Sequence, residues 1–421
     1  MGYKNFNINK KDIIAITGAG GKTSLIFFLA KKLAQFGKVL ITTTTKMYKP
    51  SSENYETLKI GDKNYLGKEK NISIIAKSEI NGKITSLSYE EIEKLKDNFD
   101  YILIEADGAK EKLLKFWNDT EPCIPNFVTK VIGVINCEIF NQDFNENNIH
   151  RFNLVPETLL DFINKKIDVD FLSRYILSAD YFPSYAEKFI FFNGIDGENQ
   201  LDKLDNSLKT ISKILKEKDF PNIILGSIKN SEFYPYQKVD AVVMASGFSK
   251  RMGFNKLKLE YNNISLLENC LKKLSSIPFN EVLVCGREEW IKSLSEKYNF
   301  KYLNNLNAHL GQSESIKLGV KNSSGKGITF FTADQPLLNE KTILTLYYNF
   351  LKTNLITIPI VNNNRFSPVF FPDEKKAEFL KLEGDSGGKP IIKSTPLINL
   401  ISFSSEKEFS DIDTEEDYGK L

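Results

Sequence analysis

Two glycine-rich loops, each placed directly after a short β-rich run, constrain this chain more than any other feature. The first run is IIAIT (13–17), which passes into ITGAGGKTS (16–24) and then SLIFFLAKKLAQF, with helical spacing up to Gly37. KVLITTTT then restarts a strand. More than two hundred residues later VDAVVMASG (239–247) begins again in the same way, after the aperiodic stretch SIKNSEFYPYQK (227–238). Apolar runs separated by helical patterns follow both loops: ISIIA, YILIEA, KVIGVIN, KFIFFN and NIILGS after the first, EVLVCG, ITFFTAD, LITIPI and SPVFF after the second. That alternation predicts parallel sheets with crossover helices. A chain of 421 residues is also too long for one typical domain. The expected fold class is α/β, with two tandem three-layer domains at 1–234 and 235–421. The first is a P-loop-like parallel sheet and the second Rossmann-like. The polar stretch at 48–70 has no assignable pattern.

Composition narrows the chemistry. Lys and Arg number 56 against 54 Asp and Glu, a net charge of +2, so no nucleic-acid partner is expected. The four cysteines (Cys123, Cys137, Cys270, Cys285) are scattered and there are two histidines, His150 and His309. Neither CxxC nor HExxH occurs, which argues against a zinc centre, and imidazole-based catalysis is disfavoured. No run approaches the roughly 18 apolar residues of a membrane span. MGYKNFNINKKD lacks a signal-peptide core, so a cytoplasmic enzyme is expected, running on Lys, Arg, carboxylates and Mg²⁺.

The first loop has the makings of a nucleotide-phosphate site. Gly18, Gly20 and Gly21 allow the backbone to wrap a phosphate, Lys22 reaches the β- and γ-phosphates, and the Thr23 hydroxyl joins a Mg²⁺ shell. Ile16 stands where a full Walker pattern has its first glycine, but the shorter G-x-x-G-K-T fits. YILIEADGA ends in Glu105 and Asp107, carboxylates expected beside the loop. TTTTKM (42–47) offers hydroxyls that serve a ligand or simply favour a strand. FFNGID (191–196) is similar to a guanine-reading motif with Gly194 in place of its lysine, which leaves ATP or GTP open.

The second loop, MASGFSKRMGFNK (244–256), lacks GK[ST] and is a different kind of site. Ala245, Ser246, Gly247, Ser249 and Gly253 supply amides and hydroxyls, and Arg251 and Lys256 two fixed cations. FFTADQPLL places Asp334 at a strand end as a Mg²⁺ ligand, and GDSGGKP offers Asp385 as a second. A helix cap and a tight turn are the alternative roles of these two aspartates.

ITGAGGKTS, TTTTK, EADGAK (105–110), Lys115 with EPCIP (121–125), and His150-Arg151 together resemble the YqeC-type accessory proteins of selenium-dependent molybdenum hydroxylases, over about residues 10–228. That resemblance implies a nucleotide-binding domain with a hydroxylase apoenzyme as partner. The second loop, Asn305 with GQSESIKLGV (311–320), DQPLL, GDSGG and DIDTEEDY (411–418) resemble the nucleotidyltransferases of molybdenum-cofactor biosynthesis, over about 240–421. DQPLL and G-Q-S-x-S are similar to the cytidylyltransferase branch. The implied fold is a nucleotidyltransferase one, the nucleotide CTP, bound in part by Ser315, and the substrate a molybdopterin-type small molecule. Lys256, Arg251 and Asp334 are the implied catalytic residues. Ser246 stands where the cytidylyl branch has Ala and the guanylyl branch Gly, and Phe366-Ser367-Pro368 departs from the usual Gly-(Asn/His)-Pro. A sugar- or polyol-phosphate transferase, or a nucleotide-switched maturation scaffold, is the alternative.

Overall fold

The structure is a computed structural model that describes residues 2–62, 65–67, 71–179, 183, 185–220, 222–248 and 253–421. The chain separates into two compact units, residues 1–236 and 237–421.

The first unit is built on nine described strands: β1 (Ile13–Gly18), β2 (Val39–Thr43), β3 (Thr57–Ile60), β4 (Ile72–Ala76), β5 (Tyr101–Glu105), β6 (Lys130–Asn136), β7 (Glu187–Asn193), β8 (Ile223–Ser227) and β9 (Glu232–Pro235). Their order across the sheet is β9-β8-β7-β6-β1-β5-β2-β4-β3, and every pairing is parallel except the antiparallel edge pair β8–β9. β1 is central because the chain moves to one side of it for β2–β5 and to the other for β6–β9. Such a reversal leaves a crevice at the carboxyl end of the strand, where the GAGGK loop lies. The strands are apolar without alternation because both faces are covered. Ile14 and Ile16 pack with Leu25, Ile26, Leu29 and Leu33 of helix α1 (Lys22–Leu33), whereas Ile13 and Ala15 face Ile92, Leu95 and Phe99 in the opposite layer. Each fully buried Leu or Ile contributes about 1.5–3 kcal/mol, so the helix that carries Lys22 is held firmly against the strand that ends in the loop. Two segments without a sequence pattern of their own supply edge strands, β3 and β9. The side chains of β3 are only partly covered, and β9 buries just Phe233 and Tyr234 between Glu232 and Pro235, so neither shows a sustained apolar run.

The second unit follows the same logic. Strands β10 (Val239–Met244), β11 (Val282–Gly286), β12 (Lys301–Asn304) and β13 (Gly327–Thr332) are parallel, in the order β12-β11-β10-β13. β14 (Ile356–Val361) and β15 (Val369–Pro372) complete the path as β13-β15-β14, with β15 antiparallel to both neighbours. β16 (Ile398–Ser402) then pairs in parallel with β14. Helix α2 (Gln312–Asn322) lies close on β10, since a Cβ on Gly319 would come within 2.5 Å of Val242. Both units are therefore mixed α/β with sheets that are mainly parallel.

Candidate functional site

In the first unit the structure brings together all the loop residues named from sequence. Gly18 has φ +99°, and a Cβ there would lie 2.3 Å from the Val134 carbonyl oxygen of β6. Gly21 has φ +132° and abuts Asn193. Glycine is required at both because a side chain would meet strain and a neighbouring strand at once. α1 starts without a side-chain cap, so its first amides face the loop unassisted. The Thr23 hydroxyl donates to Glu105 Oε2 at 2.8 Å. Lys22 Nζ turns back onto its own loop, donating to the Gly18 carbonyl at 2.7 Å and pairing with Asp107 Oδ1 at 3.2 Å.

Asp107 is the hub of this unit. Its Oδ2 accepts from Thr17 Oγ1 (2.7 Å), the Gly18 amide (3.1 Å) and Trp117 Nε1 (2.7 Å), and pairs with Lys115 Nζ at 3.2 Å. Burial opposes its charge, but Lys22 and Lys115, with the Thr17 and Trp117 donors, outweigh burial and hold the carboxyl below the usual carboxylate range. Glu105 goes the other way, since burial lifts its pKa despite Lys22 and Thr23. Lys115 is fully buried and also bonds the Gly108 carbonyl (2.6 Å) and Glu121 (2.8 Å), while Glu121 holds Arg151 in a two-pronged pair at 2.9 and 3.0 Å. His150 is driven down to about 4 by burial and then by Lys115, Arg151 and Lys110, so it is a neutral imidazole at pH 7.

Two other readings resolve differently. The Thr42, Thr43 and Thr44 hydroxyls donate to the Ile75, Glu105 and Cys123 carbonyls, so they brace the sheet end. Asn193 of the FFNGID segment props the loop, donating to the Gly20 carbonyl at 3.3 Å while accepting from the Ile228 amide. Asp196 accepts a hydrogen bond from Ser227.

In the second unit a cavity of about 660 Å³ opens at the carboxyl ends of β10 and β13. Ser246, Gly247, Lys256, Ser315, Asp334 and Asp385 all line it. Ala245 is buried beneath the loop and Gly253 lies off the lining, while Ser249 and Arg251 fall outside the described residues. Lys256 Nζ lies 2.5 Å from Asp334 and 2.7 Å from Asp413. Burial works against its charge, but the two aspartates prevail and raise its pKa. Asp334 Oδ1 is buried without a hydrogen-bond partner among the described residues. Asp411 is pushed up to about 6 by burial and by Asp334 and Asp413. Asp385 Oδ1 accepts from the Gln312 amide at 3.2 Å and so also caps α2. Asn305 donates to Ser246 Oγ (3.2 Å) and Ser315 Oγ (2.9 Å), and Ser246 in turn donates to the Cys285 carbonyl.

A surplus of carboxylate around one ammonium, with an orphaned Asp334 oxygen, fits a divalent cation. Among the described residues no three His, Cys, Asp or Glu side chains form a ready-made metal cluster. That suits Mg²⁺, which takes one or two carboxylates and completes its shell with water and substrate phosphate.

Sequence reasoning missed Asp411 and Asp413, which sit in DIDTEEDY but meet Lys256 only through the fold. It also missed Arg287, whose Nε donates to the Ser246 carbonyl at 3.0 Å and whose guanidinium lies 3.9 Å over the Phe248 ring. Its position one residue past a strand end was the available signal. Among the described residues no helix is long and apolar enough to cross a membrane.

Comparison with known proteins divides the chain in two. Residues 14–153 match the YqeC protein model and residues 241–398 the MobA-like NTP transferase domain model. The chain is 37% identical over 149 residues to the uncharacterized protein YqeC of Escherichia coli (strain K12), a match covering 33% of this chain and 57% of that protein. It therefore spans a little over half the length of that relative. It is 30% identical over 191 residues to the purine catabolism protein PucB of Bacillus subtilis (strain 168), covering 42% of this chain and 92% of the relative. A probable molybdenum cofactor guanylyltransferase of Bacillus velezensis is 24% identical over 199 residues, covering 43% and 92%. The C-terminal half is thus a nucleotidyltransferase enzyme. Through that half the chain belongs to the MobA-like NTP transferase family, and it carries a YqeC domain at its N-terminus.

Proposed function

We propose that the C-terminal unit transfers CMP from CTP to a molybdopterin-type cofactor, releasing pyrophosphate, as a step in maturing molybdenum hydroxylases. The observation that carries this reading is the Lys256–Asp334–Asp413 cluster on the lining of an open cavity at the strand ends. The terminal phosphate of molybdopterin is already an anionic nucleophile at pH 7, so no general base is required. Its oxygen forms a bond to the α-phosphorus of CTP as the α–β bridging bond breaks and pyrophosphate leaves. Lys256 is kept charged by its two aspartates and stabilises the negative charge that develops on the transferred and leaving phosphates. The loop amides at Ser246 and Gly247 hold the triphosphate, and Arg287 braces that loop through the Ser246 carbonyl. Mg²⁺ held by Asp334, with Asp385 on the same lining, supplies further charge neutralisation. Support for CTP comes from the likeness of DQPLL and G-Q-S-x-S to the cytidylyltransferase branch. The guanylyltransferase among the relatives makes GTP the necessary control.

The N-terminal unit in this reading binds ATP or GTP with Mg²⁺ at Gly18–Thr23, with Thr23 and Glu105 on the metal side. It acts toward a hydroxylase apoenzyme. Purified protein incubated with each nucleotide and molybdenum-loaded molybdopterin should form the cytosine dinucleotide product. Pyrophosphate release with CTP and a sugar phosphate, but not with molybdopterin, would refute the substrate assignment.

A further inference from the structure

The buried charges around Asp107 carry a consequence for how the N-terminal loop takes a phosphate. The two oxygens of Asp107 are used unequally. Oδ2 receives Thr17, the Gly18 amide, Trp117 and Lys115, whereas Oδ1 has no hydrogen bond and faces Lys22 at 3.2 Å. Both lysines and the aspartate are almost completely removed from solvent, with side-chain exposures of 4% for Lys22 and 0% for Asp107 and Lys115. A buried ion pair loses far more when one partner leaves than it gained on forming, because the remaining charge stays unsolvated. If Lys22 were the sole counter-charge of Asp107, swinging it toward a phosphate would strand a buried carboxylate.

We propose that Lys115 is a positioning residue for nucleotide binding, a second counter-charge that keeps Asp107 paired when Lys22 leaves it for the phosphate. The inference rests on the nucleotide reading of the N-terminal loop. The geometry meets its requirements. Lys115 stays on Oδ2, the oxygen that Lys22 does not use, and is anchored independently by the Gly108 carbonyl and by Glu121. Glu121 is in turn tied to Arg151, so Lys115 has no need to move when Lys22 does. Trp117, whose indole N–H donates to Asp107, stands beside this exchange and reports on it.

The experiment uses the full chain carrying Trp290→Phe, which leaves Trp117 as the sole tryptophan. MgATP and MgGTP are titrated with Trp117 fluorescence as the readout, and calorimetry checks the dissociation constant. Lys115→Met should weaken binding by about tenfold or more, because Lys22 is then the remaining partner of a buried carboxylate. Asp107→Asn keeps an acceptor for Thr17, Gly18 and Trp117 while placing a neutral amide toward Lys22. In the Lys115→Met background it should restore binding to within about threefold of the parent. A merely structural role for Lys115 would not be rescued by removing the charge of Asp107. Parent-like binding by Lys115→Met, or a double variant that stays well short of parental binding, would each overturn the proposal. The double variant, which leaves no carboxylate at position 107 to strand, keeps the proposal testable even if Lys115→Met alone does not fold. A parent that binds neither nucleotide would refute the underlying reading itself, an outcome distinct from tight parental binding with no effect of Lys115.

Discussion

The two loops, each at the end of a central parallel strand, are built in opposite ways. The N-terminal loop is tight. Its glycines are pressed against neighbouring elements, its lysine is folded inward, and its acids are engaged by Thr17, Thr23, Trp117 and Lys115. The C-terminal loop is open. Among the described residues Gly247 and Gly253 have no atom within 4 Å of an added Cβ, and Lys256 lines a cavity beside an Asp334 oxygen that lacks a hydrogen-bond partner there. A tight loop suits one fixed shape such as a nucleotide triphosphate tail. An open one must seat two anionic reactants and let two products go.

The largest effect separating the two sites should come from the cluster in the open one. Lys256→Ala or Asp334→Ala is expected to reduce nucleotidyl transfer by about 100-fold or more while the melting temperature stays near that of the parent. Near-parental turnover in either variant would remove them from the mechanism. Removing Mg²⁺ with EDTA should abolish transfer to a similar degree, and added Mg²⁺ should restore it. Next, Lys22→Ala should weaken ATP or GTP binding at the N-terminal site by about 30-fold or more and leave C-terminal transfer intact. Equal loss of both activities would mean that the two sites do not act independently.

The smallest effects test the packing side of the comparison. Gly18→Ala should cost about 2–4 kcal/mol in denaturant unfolding of the N-terminal unit, since the Cβ meets the Val134 carbonyl oxygen and the backbone is left-handed. Gly247→Ala, with open space around it, should change stability by no more than about 0.5 kcal/mol. Similar costs at the two positions would mean that the loops do not differ in tightness.

Much of the fold was legible because sheets covered on both faces produce unbroken apolar runs, as at 13–16, 101–104 and 241–244. The loops were legible because glycine and GK[ST] act locally. The edge strands at 57–60 and 232–235 were not, since short edge strands carry too few apolar residues in a row to stand out. Site residues divide along the same line. Lys22, Thr23 and Asp334 lie within a few residues of strand ends, and Lys256 closes the MASGFSKRMGFNK loop. Asp413 lies 157 residues from the lysine it pairs with, and Asn193 lies 173 from the loop it props, so no local pattern links them. Asn193 also shows how one motif can mislead. An asparagine that the motif relates to base reading is instead bound to the backbone of the phosphate loop.

The central claim, that the open site joins a cytidylyl group to a molybdopterin phosphate, is tested most directly by product analysis. Purified protein is incubated with Mg²⁺ and molybdenum-loaded molybdopterin, with CTP, GTP or ATP in turn, and products are identified by mass spectrometry. The expected result is the cytosine dinucleotide with one equivalent of pyrophosphate, lost in Asp334→Ala. Product formation with GTP in preference to CTP, or no dinucleotide with any of the three, would contradict the claim.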